Sequence, residues 1–370
     1  MVEKIIIAHL YNPGSAATNR IIAYAYGYQQ IGVSVFLVLG CEGGVEEPHI
    51  SDIDNHIVKS TSHRSLSRRM AGVVKRKYVK GLTAIQIYGT PELCIYLPKS
   101  KYNIFYECTE VPFYGAKGCL AQRMKESFRL WATRRATGMM VISKALKEYY
   151  HKKGIHNIEI VNMFVDSSRF NIKQEDSRQD YIGYCGKVSL YKDGVDTLIR
   201  AFSILHRKFP SLELWIIGGF ESQRTETELR SLTKELRIND YVRFVGAVSP
   251  TEMPALLYGA KALTLARPEN IQAKYGFPTK LGEYLATGKP VVVTNVGEIG
   301  DFLKDGINCK IAVPDDYHDF AEKLSWIFEN YDEALVLGSR GRELTKSAFS
   351  SVEQCKVALS FMNKYSLLDM

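Results

Sequence analysis

The chain reads as an α/β protein of two Rossmann-like domains, each with a parallel sheet. Three observations predict this. Short β-rich runs alternate with helical stretches along the whole sequence, the pattern of parallel strands covered by helices on both faces. The series occurs twice, on either side of a polar stretch at Asp166–Asp180. A length of 370 residues suits about two domains.

In the first series, strands are expected at Ile5–Leu10, Val33–Leu39, His56–Val58, Ala84–Tyr88, Asn103–Tyr106, Met139–Ile142 and Ile158–Val161. Helices such as Thr18–Gln30 and Ala121–Arg135 lie between them. In the second series, strands are expected at Tyr181–Tyr184, Glu213–Ile217, Val242–Val245, Ala262–Leu265, Val291–Thr294 and Cys309–Val313. Its helices are Asp193–Lys208, Thr225–Leu236, Pro250–Gly259, Thr279–Ala286, Tyr317–Asn330 and Tyr331–Ala348. The domains are therefore placed at 1–165 and 170–348, with a last helix at about 350–370 expected to pack back on the first. Ligands in such folds bind at the carboxyl ends of strands, here expected in a cleft between the two sheets.

Composition narrows the class. Apolar residues make up 46% and charged residues 24%, as in an ordinary globular protein. No apolar run approaches the roughly 20 residues of a membrane span. The start, MVEKIIIAHLYNPGS, enters a short strand and a Gly-bearing turn without the apolar core of a signal peptide. The seven cysteines are scattered and odd in number, and no CxxC occurs, so a reducing cytoplasm is expected.

The net charge of +8 is uneven. Residues 1–165 hold 22 Lys/Arg against 12 Asp/Glu, whereas the remainder holds 26 against 28. The basic surplus peaks at Arg64–Lys80, with seven basic residues and no acid. Two readings are open: a solvated face, or a docking surface for an anionic membrane or a phosphate-bearing acceptor. Nucleic acid is disfavoured, since no recognition motif accompanies the charge.

The most informative stretch is Tyr275–Thr294, YGFPTKLGEYLATGKPVVVT. Pro278 suits the first helical position, and Gly288 with Pro290 ends the helix. The run Val291–Val293 then suits a buried parallel strand. Unpaired amides near Thr279, Lys280 and Leu281 would face an anion. Glu283 lies one turn in, where a carboxylate could hold a sugar diol; the alternative is an ordinary αβ unit with an exposed acid. The loop residues Tyr275, Gly276 and Phe277 precede this helix.

Strand Tyr181–Tyr184 leads into Cys185–Gly186–Lys187, and Lys192 precedes Asp193–Gly194 and an amphipathic helix. Lys187 and Lys192, flanking one loop, can converge on a diphosphate. Gly218 and Gly219 end another strand and permit close approach of a ligand, while backbone near Val245 can read a nucleobase edge. In the first half, the Gly14 turn is Gly-bearing but is not GxGxxG, so a nicotinamide dinucleotide fingerprint is missing. Glu107 and Glu110, at the end of strand Asn103–Tyr106, are candidates for gripping a hydroxyl in a cleft-facing loop. Asp52–Ile53–Asp54 forms an isolated DxD with no nucleotide loop beside it. The histidines lack zinc-site spacing, and no GxSxG or Walker A motif occurs. No metal is expected.

With these residues in place, the second half resembles glycosyltransferase family 4, the retaining transferases of GT-B fold. The resemblance is strong over Tyr181–Val313 and extends loosely back through VISKALKEYYHKKGIHNIEIVNMFVDSSRF. The family's Gly-Arg…Lys-Gly diphosphate motif corresponds to Gly186–Lys187 and Lys192–Asp193–Gly194, with Lys in place of Arg. Its second glutamate corresponds to Glu283, and Tyr275 stands where the first glutamate would be. The resemblance implies a retaining enzyme moving a hexose-type sugar from a UDP- or GDP-sugar. The acceptor would be a bacterial surface polysaccharide or lipid-linked oligosaccharide. Lys187, Lys192 and the helix amides would stabilise the leaving diphosphate without a metal or other cofactor. Closure of the domains would bring Glu107, Glu110 and the Gly14 loop to the sugar. The chain would be cytoplasmic, either free or peripheral at the inner membrane face. A silent nucleotide-sugar-binding subunit and a sugar-nucleotide epimerase or hydrolase of the same fold are the rival readings.

Overall fold

The computed structural model describes residues 1–42, 50, 52–110, 120–171 and 180–366, without the side chains of 121–123 and 125. The chain divides into two compact units, Met1–Phe164 with Ser351–Met370, and Val165–Ser350.

The first unit runs β1 (Lys4–Leu10), α1 (Ala16–Gln30), β2 (Ser34–Glu42), β3 (Asn55–Ser60), α2 (His63–Lys77), β4 (Thr83–Tyr88) and α3 (Leu93–Tyr96). It continues with β5 (Ile104–Cys108), α4 (Leu120–Thr133), β6 (Gly138–Val141), α5 (Lys144–Lys152) and β7 (Ile158–Ile160). Among the described residues its sheet has seven strands in the order β3-β2-β1-β4-β5-β6-β7, all parallel. The central strands carry continuous apolar runs, because helices cover both faces of such a sheet. Thus Ile5, Ile6, Ile7 and Ala8 are all fully buried. The basic segment Arg64–Lys80 is largely the helix α2. Its inner face buries Leu66, Met70, Val73 and Val74, while Arg64, Arg68, Arg69 and Lys75 are exposed.

The second unit opens on a short 3-10 turn, Ser167–Phe170, then β8 (Tyr181–Cys185), α6 (Leu190–Asp193), α7 (Val195–Lys208), β9 (Glu213–Ile217), α8 (Gln223–Glu235) and β10 (Val242–Gly246). It continues with α9 (Met253–Gly259), β11 (Ala262–Leu265), α10 (Ile271–Tyr275), α11 (Thr279–Thr287), β12 (Val291–Thr294), α12 (Ile299–Phe302) and β13 (Lys310–Ala312). Helices α13 (Tyr317–Glu329) and α14 (Tyr331–Glu343) follow, and α15 (Ser351–Tyr365) returns to the first unit, where it packs on α1. Among the described residues the second sheet has six parallel strands in the order β10-β9-β8-β11-β12-β13.

Each sheet reverses its winding once, between β1 and β4 and between β8 and β11. A reversal leaves a crevice at the strand ends, because the flanking connections leave to opposite faces. In the second unit, the loops after β8 and β11 and the start of α11 meet there.

Two local expectations differ. The helix expected over Asp193–Lys208 is split, because Gly194 takes a left-handed conformation, φ 59°. A Cβ there would stand 2.0 Å from the Ala266 carbonyl oxygen, so only glycine lets the chain pass. Pro278 caps α11 rather than opening it, and Thr279 is the first helical residue. Gly288 ends the helix with φ 72°, as a left-handed cap does.

Candidate functional site

The site in the second unit starts from glycines. Gly186 follows β8 with φ 153°, and a Cβ there would lie 2.3 Å from Lys280 Nζ. A Cβ on Gly218 would lie 2.0 Å from the Gly186 carbonyl oxygen. The absence of both side chains lets the ends of β8 and β9 lace together. Gly186 N donates to Ile217 O at 2.9 Å, and Val188 N to Gly219 O at 2.9 Å. Gly218 N donates to Gly246 O at 2.8 Å, joining β10 to the row. Gly219 has open space where a side chain would project.

Lys280, from the first turn of α11, reaches into this crevice. Its ammonium lies 2.6 Å from Asp193 Oδ2 and 3.1 Å from the Tyr184 hydroxyl. Tyr184 also stands 2.8 Å from the same carboxylate oxygen. Burial alone would raise the Asp193 carboxyl, but Lys280 and Arg267 outweigh it and hold its pKa below the usual range. Burial lowers the pKa of Lys280, and the like charges of Lys192 and Arg267 lower it further. Lys280 and Arg267 thus act on the buried Asp193 carboxylate, and Lys192 and Arg267 act on the Lys280 ammonium, so three cations converge at the glycine-lined end of β8.

Lys192 sits on α6 rather than in a loop, half-buried, and its carbonyl accepts from Arg267 Nε at 3.3 Å. Lys187 is exposed at the turn after β8. Of the three α11 amides expected to face an anion, Leu281 N instead donates to Pro278 O at 3.1 Å. The first-turn amides of Thr279 and Lys280 remain placed to meet one. The Leu281 side chain is fully buried, and Phe277 packs against Phe302 and Phe349 at 5.7 and 5.5 Å. Both side chains are core residues, so what Phe277 and Leu281 can offer a ligand is backbone. Tyr275 ends α10 half-buried, with Gly276 extended after it. Val245 lies half-buried on β10.

Glu283, one turn into α11, is not an isolated exposed acid. Arg169 Nη1 stands 2.9 Å from its Oε1, and Arg169 Nη2 donates to Pro250 O at 3.3 Å. Burial raises the Glu283 pKa, and Arg169 opposes the shift. The next residue, Tyr284, ties α11 to β8: its hydroxyl accepts from Cys185 N at 2.7 Å and donates to Cys185 O at 3.0 Å. Local sequence pattern singles out neither Arg169 nor Arg267. The clue for Arg169 lay in the VDSSRF linker; Arg267, just past β11, has no motif around it.

In the first unit, Glu107 is corrected outright. It is the fourth residue of β5, not part of a cleft-facing loop, and it is almost fully buried. Arg20 Nε lies 2.7 Å from Oε1, Tyr24 donates to Oε1 at 3.0 Å, and Gln86 Nε2 donates to Oε2 at 2.7 Å. Arg20 also donates to the carbonyls of Asn162 and Val161 at 3.0 and 3.1 Å. A carboxylate so enclosed is a structural anchor. Glu110 is exposed just beyond the strand. Gly14 has φ 67° in the turn before α1, where Ser15 caps the helix by accepting from Thr18 N at 3.2 Å. His9, near the end of β1, contacts Thr18 Oγ1 at 3.2 Å, and burial pushes its pKa down to about 4. Among the described residues no cluster of His, Cys, Asp or Glu could hold a metal, and no helix is long and apolar enough to cross a membrane.

Residues 179–330 match a family model described as glycosyl transferases group 1. A glycogen synthase of Mycobacterium tuberculosis (strain ATCC 25618 / H37Rv) is 24% identical over 232 residues, 61% of this chain and 54% of that protein. A GDP-mannose-dependent alpha-(1-6)-phosphatidylinositol monomannoside mannosyltransferase of the same strain is 27% identical over 156 residues, 41% of this chain and 39% of that protein. The chain thus matches about half or less of these relatives' length. Among solved structures, Anabaena Alr3699/HepE in complex with UDP and glucose superposes with a TM-score of 0.75 at 15% identity, covering 98% of this chain and 100% of that one. WaaG, a glycosyltransferase involved in lipopolysaccharide biosynthesis, gives 0.69 at 14% identity over 97% and 99%. At such identities the likeness is one of fold.

Proposed function

We propose, from the group 1 glycosyl transferase match over residues 179–330 and the likeness of fold, a retaining transferase that moves a hexose-type sugar from a nucleoside-diphosphate sugar. The carrying observation is the convergence of Lys280, Lys192 and Arg267 on the glycine-lined switch point around Asp193. A diphosphate has the charge and size to sit among them. In this reading Lys187, Lys192 and Lys280, with the amides of Thr279 and Lys280, stabilise the leaving diphosphate. Gly186, Gly218 and Gly219 admit its backbone-hugging approach, and Val245 lies where a nucleobase edge would be read. Glu283 offers a carboxylate to the ribose diol, oriented by Arg169.

The donor is a UDP- or GDP-sugar: a neighbouring fold binds UDP, and a relative is GDP-mannose-dependent by name. The acceptor is a saccharide or lipid-linked oligosaccharide held by the first unit, with Glu110 exposed to grip a hydroxyl. The protein works in the cytoplasm, with α2 at an anionic membrane surface. Tyr275, where the family's first glutamate would be expected, favours one rival, a silent nucleotide-sugar-binding subunit.

The test is transfer of labelled hexose from UDP- and GDP-sugars to a lipid-linked acceptor. Transfer should persist in EDTA, because lysines and a helix N-terminus already offset the phosphate charge. Activity lost in EDTA and restored by manganese would contradict this, and binding without turnover would favour the silent subunit. Replacing Arg68, Arg69, Lys75 and Lys77 by Ser should weaken attachment to anionic vesicles, at about 1 kcal/mol per charge. Donor affinity should be unchanged. Equal flotation of variant and wild type at low salt would return α2 to a solvated face.

A further inference from the structure

We propose that α4 is an apolar attachment helix that lies in the surface of an anionic lipid bilayer beside α2. The inference deepens the membrane reading of α2 and rests on it for the choice of partner. Leu120, Met124, Phe128 and Trp131 are between 41% and 71% exposed. Spaced four, four and three residues apart, they form one row along one helical face. Large side chains left in water as a contiguous row mark an interaction surface. The other face holds the helix to the unit: Thr133 is buried, and Glu126 is buried and accepts from the Tyr149 hydroxyl.

The surrounding charge selects the partner. Between 120 and 135 the sequence has five basic residues, and its single acid is the buried Glu126. The Arg135 guanidinium lies 3.5 Å from the Trp131 ring centroid, and its Nη1 donates to Trp131 O at 3.0 Å. A ring with an apolar body beside a cation suits the depth of lipid headgroups. Helix α3 packs against both α2 and α4. Its Tyr96, with Ser62, Arg64, Ser65 and Arg68 at the start of α2, lines a hollow of about 440 Å³. An apolar row and a guanidinium-lined hollow thus occupy adjoining elements. Peripheral proteins need two such signals, since either alone gives only marginal binding. A second copy of this chain would bring the same positive charge to the contact and be repelled.

The full chain carries three tryptophans, so Trp215→Phe with Trp326→Phe leaves Trp131 as its only indole. On vesicles of phosphatidylcholine and phosphatidylglycerol, Trp131 emission should shift to the blue, and brominated acyl chains should quench it. In otherwise wild-type protein, Met124→Ser with Phe128→Ser should lower vesicle partitioning at least about tenfold, with UDP affinity unchanged. The reporter chain has no substitution in α4, so a poorly folding α4 variant leaves the quenching test intact. Flotation of the wild type without any shift or quenching of Trp131 overturns the α4 assignment and leaves the α2 reading standing. No flotation of the wild type overturns both. A concentration-dependent dimer that the α4 substitutions abolish, without quenching, overturns it in favour of a second copy.

Discussion

Exchanging Glu107 for alanine will lower the unfolding free energy by about 3–5 kcal/mol, the cost of stripping one partner from a buried ion pair. Arg20 is left with its guanidinium in a dry interior, beside Tyr24, the Phe164 ring and the carbonyls of Asn162 and Val161 but with its carboxylate gone. Gln86 loses its acceptor as well, though Tyr28 still donates to its other end at 3.1 Å. Arg20→Met should cost a similar amount. The double variant Arg20→Met with Glu107→Leu should recover much of the loss, because a buried charge pair is expensive to desolvate and apolar groups are not. Urea denaturation of the three variants, followed by circular dichroism, gives these values. A loss under about 1 kcal/mol, accompanied by loss of transfer, would instead return Glu107 to chemistry.

Lys280→Met should lower turnover by about 10²–10³-fold, the range found when one preorganised charge donor is removed from a developing anion. The single change also strands Asp193 in a buried site, so it should cost stability. Lys280→Met with Asp193→Asn removes both charges and should restore stability without restoring turnover. A double variant with wild-type turnover would contradict the assignment. The pair also carries a pH signature. The Asp193 pKa is held below its unfolded value, so its contribution is complete above the ordinary carboxylate range and is lost as pH falls through the depressed value. Asp193→Asn should therefore flatten the acid limb of the stability profile.

The alternation of strands and helices was legible because buried parallel strands must be continuous apolar runs, as in Ile5–Ala8 and Val291–Val293. The glycines were legible too: Gly186, Gly218 and Gly288 fall where positive φ or close approach excludes a side chain. What the sequence did not carry was partnership. Nothing in the local pattern joins Arg20 to Glu107, 87 positions away, or Arg169 to Glu283, 114 positions away. Such pairs form only when the sheet order brings distant elements together. For the same reason a carboxylate near a strand end reads as a loop acid, and nothing local tells that the side chain of Phe277, in the loop before α11, fills the core. The apolar row on α4 has a clear helical spacing, but periodicity does not tell which face stays uncovered.

In the proposed transferase a nucleoside diphosphate occupies the switch point of the second unit, with Glu283 on the ribose. Calorimetric titration with UDP and GDP, on wild type and on Glu283→Gln, tests this directly. One nucleotide should bind at a single site, and the substitution should weaken it by about 1–3 kcal/mol, the worth of a charge-assisted hydrogen bond. Equal affinity in the two proteins, or no heat with either nucleotide, would contradict the account.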